Sequence, residues 1–395
     1  MSTTPPDKAR RSIWTRTSAI ILLLAFCMGT VAGMAWVVLR QIDELSTANS
    51  DNLQWSLAQA DVEVLQLELA LRKAIADRHA LRFGRPVQAE NVITVAGAQN
   101  ALFMASMCLL QAGDEVIVLD PMYVTYEATL KASGATLVRA VCEASDGFRL
   151  RENALKRVVT PRTRAIFLSN PNNPTGVVLN REELQIIADV AIEHDLWVVV
   201  DEVYESLCYE RPHQSLASLP GMEQRCVVIG SLSKSHAMTG WRIGWMVADA
   251  ELISHAETLA LSMLYGLPGF VMEGALAAVH AHDQVTQGMR ETYRRRRDLV
   301  VARLSDCPGL SVLAPDAGMF VLVDVRGTGL GSLEFAWRLY RVARVSVLDA
   351  AAFGEPAQGF VRLSFTLAEA QLAQACERIA GFVSGLESPR ITPIN

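Results

Sequence analysis

The sequence contains no pair of cysteines at the short spacing that is found in zinc sites and redox motifs. Its seven cysteines are scattered between Cys27 and Cys376, and their number is odd. This distribution argues against a disulfide framework and against a cysteine-ligated metal site. Most of these thiols are expected to be buried and reduced.

The chain also lacks an excess of positive charge. It carries 36 Lys and Arg against 42 Asp and Glu, which gives a net charge of −6 at pH 7. Such a balance offers no electrostatic footprint for nucleic acid, and no basic helix-turn-helix precedes the main domain. With 395 residues, of which 51% are hydrophobic, the chain is long enough for two domains with a substantial core.

Charged residues are absent from one long stretch, Thr17 to Leu39. At about 1.5 Å per residue, its 23 residues can cross a hydrocarbon core of roughly 30 Å. Because the basic residues of the tail 1–16 precede it, the charge rule predicts a single-pass membrane helix over 17–39 with the N-terminus inside. These basic residues are Lys8, Arg10, Arg11 and Arg16.

Two other interpretations of this apolar stretch stay open. The small residues Gly33-Met34-Ala35 could end a signal peptide, although the run is long for one. The other possibility is a buried core helix, and the lack of a polar face speaks against it. After the run, apolar residues recur at helical spacing from Gln41 to Leu71, which predicts a helical stalk over 40–70.

Beyond Leu71, short β-branched runs alternate with helical patterns. Strands are predicted over 91–96, 115–120, 136–140, 165–169, 196–200 and 226–229. After a long basic helix over Asp283–Ser305, further strands are predicted over 311–313, 319–325, 345–348 and 360–365. This alternation predicts an α/β fold with a mainly parallel sheet that is covered by helices, whose ligands bind beyond the carboxyl ends of the strands.

Residues suited to holding a small ligand follow five of these strands. The residues that follow the first four of these five strands are Gly97, Ala98, Gln99, Tyr123, Asn173, Asp201 and Tyr204. Taken singly, each has a structural alternative as a helix start, a turn or a helix cap. Five such matches at successive strand ends are hard to obtain by accident, which favours a binding site.

The sixth strand runs into the loop Gly230 to Arg242, which offers one reactive amine. Lys234 lies between Ser233 and Ser235, with Arg242 eight residues further on. Burial or a neighbouring cation lowers the pKa of a lysine and makes its neutral amine available as a nucleophile. Hydroxyl groups and an arginine can hold a phosphate dianion at the same place.

Three motifs in this region resemble those of the class I and II aminotransferases, which have the type I fold of pyridoxal 5'-phosphate (PLP) enzymes. They are Asn172 to Gly176, Asp201 to Tyr204 and Ser231 to Arg242. The resemblance extends from Leu71 to about Val383. Within the family, the sequence is most similar to arginine–pyruvate transaminases. The segments that carry this similarity are Pro121 to Glu127, Met263 to Gly266 and Tyr293 to Val300.

The resemblance implies a role for each candidate residue. Lys234 would bind PLP as a Schiff base and carry the substrate proton, and Asp201 would pair with the ring nitrogen. Asn173 and Tyr204 would hydrogen-bond the phenolic oxygen of the ring, and Tyr123 would stack on its face. The phosphate would bind Gly97, Ala98, Gln99, Ser231, Ser233 and Arg242. The peptide bond between Asn173 and Pro174 could be cis.

The resemblance also implies a homodimer and a division of the catalytic part into a PLP-binding large domain over 71–282 and a small domain over 283–386, followed by a tail. In the small domain, Arg362 would bind the substrate α-carboxylate, together with Asn173. The run Arg294 to Arg297 is expected to be a solvated face with ion pairs.

The resemblance does not extend to the first seventy residues, where the family carries an N-terminal arm and this chain has the apolar run. The chain is therefore expected to be a PLP-dependent aminotransferase that passes an amino group from an amino acid to a 2-oxo acid such as pyruvate by ping-pong chemistry. Two alternatives stay open. One is β-elimination or decarboxylation on the same fold, and the other is a membrane-tethered PLP-binding protein without catalysis.

Overall fold

A computed structural model describes residues 24–41 and 50–387, with side chains for 24–41 and 59–386. The chain divides into two compact units, residues 1–66 and 67–395. The predicted basic tail, the start of the apolar run and the C-terminal tail lie outside the described residues. The boundary predicted between large and small domains remains a prediction.

The described part of the apolar run forms one helix, α1, over Leu24–Gln41. It has a mean hydropathy of 1.4, none of its window is buried, and its 18 residues are enough to cross a membrane. The interpretation as a buried core helix is therefore wrong, whereas a signal sequence would pass the same test. The next helix, α2, runs over Ser50–Phe83 and continues through the predicted end of the stalk.

The strands and helices that follow alternate, and most lie where they were predicted. β7 was not predicted, and the strand predicted over 345–348 begins only at Leu348. The strands are β1 Val92–Val95, β2 Glu115–Asp120, β3 Thr136–Val141, β4 Thr163–Ser169, β5 Trp197–Asp201, β6 Cys226–Ser231, β7 Gly244–Val247, β8 Ser311–Leu313, β9 Phe320–Asp324, β10 Leu348–Asp349 and β11 Phe360–Ser364. The helices are α3 Ala98–Leu109, α4 Tyr126–Lys131, α5 Glu152–Lys156, α6 Arg181–Glu193, α7 Leu232–Ser235, α8 Ala250–Leu261, α9 Gly269–His280, α10 His282–Ser305, α11 Ser332–Ala343 and α12 Glu369–Glu387.

Seven strands form one sheet in the order β1-β7-β6-β5-β4-β2-β3. Neighbouring strands from β6 to β3 pair in parallel, whereas β7 is antiparallel to both β1 and β6. The residues of β4 and β5 are buried except for Arg164, which is exposed, and Trp197, which is half-buried. Helices cover both faces of a sheet with this topology. The β-branched and aliphatic runs of these strands, such as Val198-Val199-Val200, suit that position.

Helix ends are fixed by local hydrogen bonds next to the sheet. At the start of α6, the Asn180 side chain accepts from the Glu183 N–H, and the Glu183 carboxylate accepts from the Asn180 N–H at 2.8 Å. This reciprocal capping box satisfies two N–H groups that a helix leaves without partners. The other Glu183 oxygen accepts from the Leu150 N–H, which links α6 to the chain before α5.

A second, antiparallel sheet of four strands has the order β10-β11-β9-β8. It packs with α10, α11 and α12 around a separate core that includes Phe335, Phe365 and Ile379. In β11, Arg362 pairs with Leu322 of β9 and Leu348 of β10, so that the residue has a fixed position in the centre of this sheet.

Some local predictions need correction. In the described residues, the cis peptide bonds are Asp120–Pro121 and Asn170–Pro171, so the expectation for Asn173–Pro174 was wrong. Within the arginine run, Arg297 is buried rather than solvated, because it stacks on the Tyr209 ring and pairs with Glu210. All seven cysteines are free thiols, five of them buried, as the scattered spacing predicts.

Candidate active site

The carboxyl ends of the central strands enclose a cavity of about 200 Å3. It brings together most of the residues that the sequence singled out, although they are far apart in the chain. The predicted residues that line it are Ala98, Gln99, Tyr123, Asn173, Asp201, Tyr204, Ser231, Ser233, Lys234 and Arg242. Among the described residues, no cluster of His, Cys, Asp or Glu could hold a metal ion.

Lys234 reaches this cavity from α7, a single helical turn that follows β6 directly. Burial lowers the pKa of its ammonium group, and the positive charges of Arg362 and Arg242 lower it further. The carboxylate of Asp201 acts in the opposite direction. The result is a lysine whose neutral, nucleophilic form is more accessible than that of an exposed lysine.

Asp201 is the last residue of β5, and its carboxyl group is buried. The Tyr126 hydroxyl donates to its Oδ2 atom at 3.4 Å, and the Val203 N–H donates to Oδ1 at 3.2 Å. Burial raises the pKa of this carboxyl group to about 6 despite both hydrogen bonds. A carboxylate in this setting is poised to accept a hydrogen bond from a cationic partner, which would return its pKa towards the ordinary range.

The start of α3 points its first N–H groups towards the same cavity. Gly97 precedes the helix with a φ of +89°, and its own N–H donates to the Val95 carbonyl at 2.7 Å. Because the N–H groups of a first helical turn have no partner within the helix, those of Ala98 and Gln99 can face an anion. Gly97 itself does not line the cavity, and its N–H is bonded within the chain. Its predicted place at the phosphate stays a prediction.

Arg242 lies against this turn. Its guanidinium group donates to the carbonyls of Ala96 and Thr239, both at 3.1 Å, and has no carboxylate partner among the described residues. A Cβ atom at Gly97 would lie 2.3 Å from the Arg242 Nη2 atom, so glycine is needed for this approach. The positive charge of Arg242 is thus fixed in place and available to an anion.

The two predicted serines differ in what they can offer. The Ser231 hydroxyl lies 2.9 Å from the Ile243 carbonyl and accepts from the Ser233 N–H at 3.0 Å, so that it caps α7. Its single proton can go to the Ile243 carbonyl or to the Ser233 hydroxyl, which lies 3.0 Å away, and neither arrangement requires the Ser233 proton. Ser233 is therefore the better donor to a ligand, and Ser231 mainly holds the turn that carries Lys234.

Asn173 connects the cavity to the second sheet. Its Oδ1 atom accepts a hydrogen bond from the Arg362 Nη1 atom at 2.7 Å. The Arg362 guanidinium is held between two rings, 4.2 Å from the centroid of Phe320 and 4.7 Å from that of Phe353. These contacts fix the guanidinium plane and leave its remaining N–H groups for a carboxylate.

Two tyrosines contribute rings to the cavity wall. Tyr204 is buried, and its ring meets Phe320 edge to face at 5.8 Å. Burial raises the pKa of the Tyr204 hydroxyl, which keeps it protonated as a hydrogen-bond donor. Tyr123 lines the cavity and makes an edge contact with Tyr126 at 6.1 Å.

The structure adds residues that the sequence reasoning missed. Tyr126 bonds to Asp201, and Ser169 accepts from the Asn173 N–H at 3.2 Å and lines the cavity with Thr239. No local pattern in the sequence marks Tyr126, because α4 begins at this residue and Tyr123 precedes the helix. Ser169 ends β4 as Asp201 ends β5, and the same strand-end argument applies to it.

Comparison with known proteins decides what this arrangement is. The family model of aminotransferase class I and II matches residues 63–379. The chain belongs to the class I and II aminotransferases. It is an enzyme that transfers an amino group from an amino acid to a 2-oxo acid, with PLP as its cofactor.

Individual relatives agree with this assignment. An arginine–pyruvate transaminase of Pseudomonas aeruginosa is 50% identical over 311 residues, which are 79% of each chain. An aromatic aminotransferase from Pyrococcus horikoshii superimposes with a TM-score of 0.77 at 34% identity, over 80% of this aminotransferase and 85% of that chain. The aspartate aminotransferase of Thermus thermophilus with maleate superimposes with a TM-score of 0.76 at 34% identity. The match covers 79% of this chain and 81% of that chain.

The residues in the cavity fit PLP. A buried carboxylate suits the protonated nitrogen of its ring, and a lysine of lowered pKa suits its aldehyde carbon. A helix start, the Ser233 hydroxyl and a cation without a carboxylate partner among the described residues suit its phosphate. All of these groups line one cavity of about 200 Å3.

The burial of Asp201 makes a testable prediction about stability. A carboxyl group whose pKa is about 6 when folded and 3.8 in the reference state opposes folding once it ionises, so the cofactor-free enzyme should lose stability as the pH rises from about 4 to about 6. Asp201→Asn should remove this loss, a gain of up to about 3 kcal/mol above pH 6 at one pKa unit per 1.4 kcal/mol. Denaturant unfolding between pH 4 and pH 8 measures it.

Asp324→Asn is the matched control. Burial raises the pKa of the partly exposed Asp324 carboxyl group, but the hydrogen bonds and charge of Arg326 together outweigh burial and lower it. Removal of this carboxylate should therefore destabilise the enzyme at neutral pH. Equal pH profiles for wild type and Asp201→Asn would show that the buried carboxyl group is not the source of the loss.

Proposed function

We propose that the residues of this cavity carry the aminotransferase reaction, with Lys234 as the catalytic base and acid. When it is bound, PLP supplies an aldehyde that accepts the amino group and a ring that stores the electron pair of the substrate. The observation that carries the proposal is the convergence of Lys234, Asp201 and Asn173 on one cavity, with Arg362 hydrogen-bonded to Asn173.

Lys234 would take the proton from the substrate Cα atom and return it later in the cycle. A base for this step must be neutral near the working pH, and burial together with two nearby arginines shifts the pKa of Lys234 in that direction. Its position on a single helical turn, capped by Ser231, limits how far the amine can move. The same group can thus serve both proton transfers.

Asp201 would hold a proton on the ring nitrogen of the cofactor by accepting its hydrogen bond. Tyr126 and Val203 keep the carboxylate oriented while it does so. Tyr204 and Asn173 would donate to the phenolic oxygen of the ring, and Tyr123 would cover one face. The phosphate would bind the N–H groups of Ala98 and Gln99, the Ser233 hydroxyl and the Arg242 guanidinium, with Gly97 and Ser231 shaping that end of the site.

Arg362 would bind the α-carboxylate of either substrate. Two parallel N–H···O bonds require a planar, oriented guanidinium, and the rings of Phe320 and Phe353 hold it in one plane. Amino acid and 2-oxo acid share this carboxylate, so a single clamp serves both halves of a ping-pong cycle.

The amino donor that we propose is arginine, with pyruvate as acceptor. This choice rests on the relative from Pseudomonas aeruginosa, whose name gives that pair of substrates and whose identity of 50% is well above the 34% found with the aromatic and aspartate enzymes. The catalytic residues alone do not select a side chain, since they contact only the groups that all amino acids share.

A donor screen tests the function. The purified enzyme is loaded with PLP and given arginine, alanine, aspartate or phenylalanine with pyruvate, and the amino acid and oxo acid products are quantified. We expect the highest kcat/KM with arginine and a loss of at least about 1,000-fold in Lys234→Ala, which lacks the base. Lys131→Ala, which removes an exposed lysine, is the control and should behave like wild type.

The outcomes separate the competing interpretations. Ammonia released without an acceptor would indicate elimination, and carbon dioxide would indicate decarboxylation. If aspartate were the only donor converted, arginine would be the wrong donor, but the assignment as an aminotransferase would stand. An enzyme that binds PLP and converts none of the donors would contradict the proposed function.

We also propose that α1 attaches the enzyme to a membrane as a single-pass helix with the N-terminus inside, and that the catalytic unit forms a homodimer. Support for the first comes from the length and exposure of α1 and from the basic residues that precede it. Support for the second comes from exposed apolar side chains around Leu264, Tyr265 and Phe270, which a partner could cover.

Membrane attachment is tested by fractionation of cells that express the full chain. We expect wild type to remain in the membrane pellet at high salt, and the double variant Val31→Arg with Met34→Arg to move to the supernatant, because each buried charge costs roughly 3 kcal/mol in a bilayer. Leu81→Arg, at an exposed apolar position of α2, is the control and should stay with wild type. Wild type in the supernatant would contradict the proposal.

A further inference from the structure

A buried polar cluster lies against one face of α2 and takes no part in the site described above. Arg78, His79 and Arg82 project from that face, and each contacts a residue close in the chain to a proposed site residue. The two arginines border a second cavity of about 890 Å3, which contains none of the predicted site residues. The cluster is therefore distinct from the cofactor site but connected to the loops that form it.

Arg82 holds the residue next to Asp201. Its Nη2 atom donates to the Glu202 Oε2 atom at 2.6 Å, and the other Glu202 oxygen accepts from the Ser215 hydroxyl at 2.6 Å. Glu202 is only 1% exposed, so both carboxylate oxygens depend on these partners. The end of β5, which carries Asp201, is thereby fixed by a side chain of α2.

Arg78 acts in the same way beside Tyr204. It pairs with Glu205, which follows Tyr204 in the chain. Its Nη2 atom also lies 2.6 Å from the Nε2 atom of His282, at the start of α10. His282 also lies 3.1 Å from the Ser206 hydroxyl. Arg78 thus joins the turn after Tyr204 to α10.

From His282 the cluster continues to the loop of Lys234. The rings of His282 and His236 are 5.1 Å apart. The His236 Nε2 atom faces the Ala278 carbonyl at 3.1 Å, so it must carry the proton, and Nδ1 then accepts from the Ser235 hydroxyl at 2.8 Å. Ser235 follows Lys234 directly, so this chain of contacts ends beside the proposed base.

His79 completes the set by contacting β7, the strand that follows that loop. The Trp245 Nε1 atom donates to the His79 Nε2 atom at 3.0 Å, and Trp245 pairs with Gly230 at the end of β6. A Cβ atom at Gly230 would lie 2.2 Å from the Trp245 Nε1 atom. The indole that His79 orients therefore packs directly on the backbone that leads to Lys234.

The charges of the cluster balance without help from outside. Two arginines face Glu202 and Glu205, and burial lowers the pKa of His79 and His236 and brings that of His282 to about 3, so that the histidines are neutral. Buried ion pairs contribute little net stability compared with apolar residues of the same volume, because desolvation offsets their attraction. Their value here is in the geometry that they impose.

We propose that Arg78, His79 and Arg82 are positioning residues. They fix the relative positions of Asp201, Tyr204 and Lys234 by contacting residues that lie next to or near these three in the chain. The inference rests on the proposed function, since it assigns no chemistry of its own. It predicts that breaking the cluster alters the setting of Lys234 even when the cofactor site itself is intact.

The test uses the full-length PLP-loaded enzyme with Arg78→Gln, Arg78→Lys and the control Arg72→Gln. Arg72 lies on the same helix and pairs with Glu68 and Glu257, away from the site. The readouts are the pH midpoint of the visible absorbance band of the cofactor, the hydrogen exchange of residues 231–243, and kcat separately from KM.

We expect Arg78→Gln to shift the midpoint by at least about half a pH unit, to speed exchange in 231–243, and to lower kcat roughly 10- to 100-fold with little change in KM. Arg78→Lys, which keeps the charge, should restore the midpoint only in part, and Arg72→Gln should match wild type. A midpoint and exchange rate equal to wild type in Arg78→Gln would overturn the inference.

Other outcomes have defined meanings. If Arg78→Gln does not fold, the same readouts on His282→Gln decide, with the same expected and contradicting results. If Arg78→Lys restores wild-type behaviour fully, charge alone acts and the positioning role is contradicted. A wild-type enzyme with no visible band would count against the proposed function, and that result is distinct from a band that the variants leave unchanged.

Discussion

The burial of one carboxyl group, Asp201, is the constraint on which the site depends. It ends the central strand β5, where a parallel sheet offers the most burial, and its two hydrogen bonds leave its pKa raised to about 6. A buried carboxylate of this kind is unfavourable alone and becomes favourable when a cationic ring nitrogen reaches it. If Asp201 has the proposed role, cofactor binding would offset the cost of burying this carboxylate, whose charge also acts on Lys234 across the cavity.

The other half of the site depends on the joining of two sheets. Asn173 follows β4 of the large sheet and Arg362 lies in β11 of the small one, and their hydrogen bond of 2.7 Å connects them. A substrate carboxylate held by Arg362 would be placed relative to the cofactor by this contact, so binding and chemistry share one arrangement of the two sheets. The polar cluster around α2 adds a third fixed point behind the loops of Asp201, Tyr204 and Lys234.

Much of this could be predicted from the sequence, because strand ends in a parallel sheet meet at one edge. The runs at 115–120 and 311–313 match β2 and β8, and most of the predicted residues at the strand ends line one cavity. The antiparallel strand β7 and the bond from Tyr126 to Asp201 depend on tertiary pairing that a local pattern does not encode. For the same reason, the hydrogen bond from the Gly97 N–H to Val95 and the burial of Arg297 became visible only in the structure.

The central claim is that Lys234 is the residue that binds the cofactor. The chain has only five lysines, and Lys73, Lys131 and Lys156 are exposed, so the others serve as internal controls. The direct measurement is to load the enzyme with PLP, reduce it with borohydride, digest it and locate the added mass by mass spectrometry. The account predicts the pyridoxyl group on Lys234 at one per chain, and its absence there, or equal labelling of the exposed lysines, would contradict it.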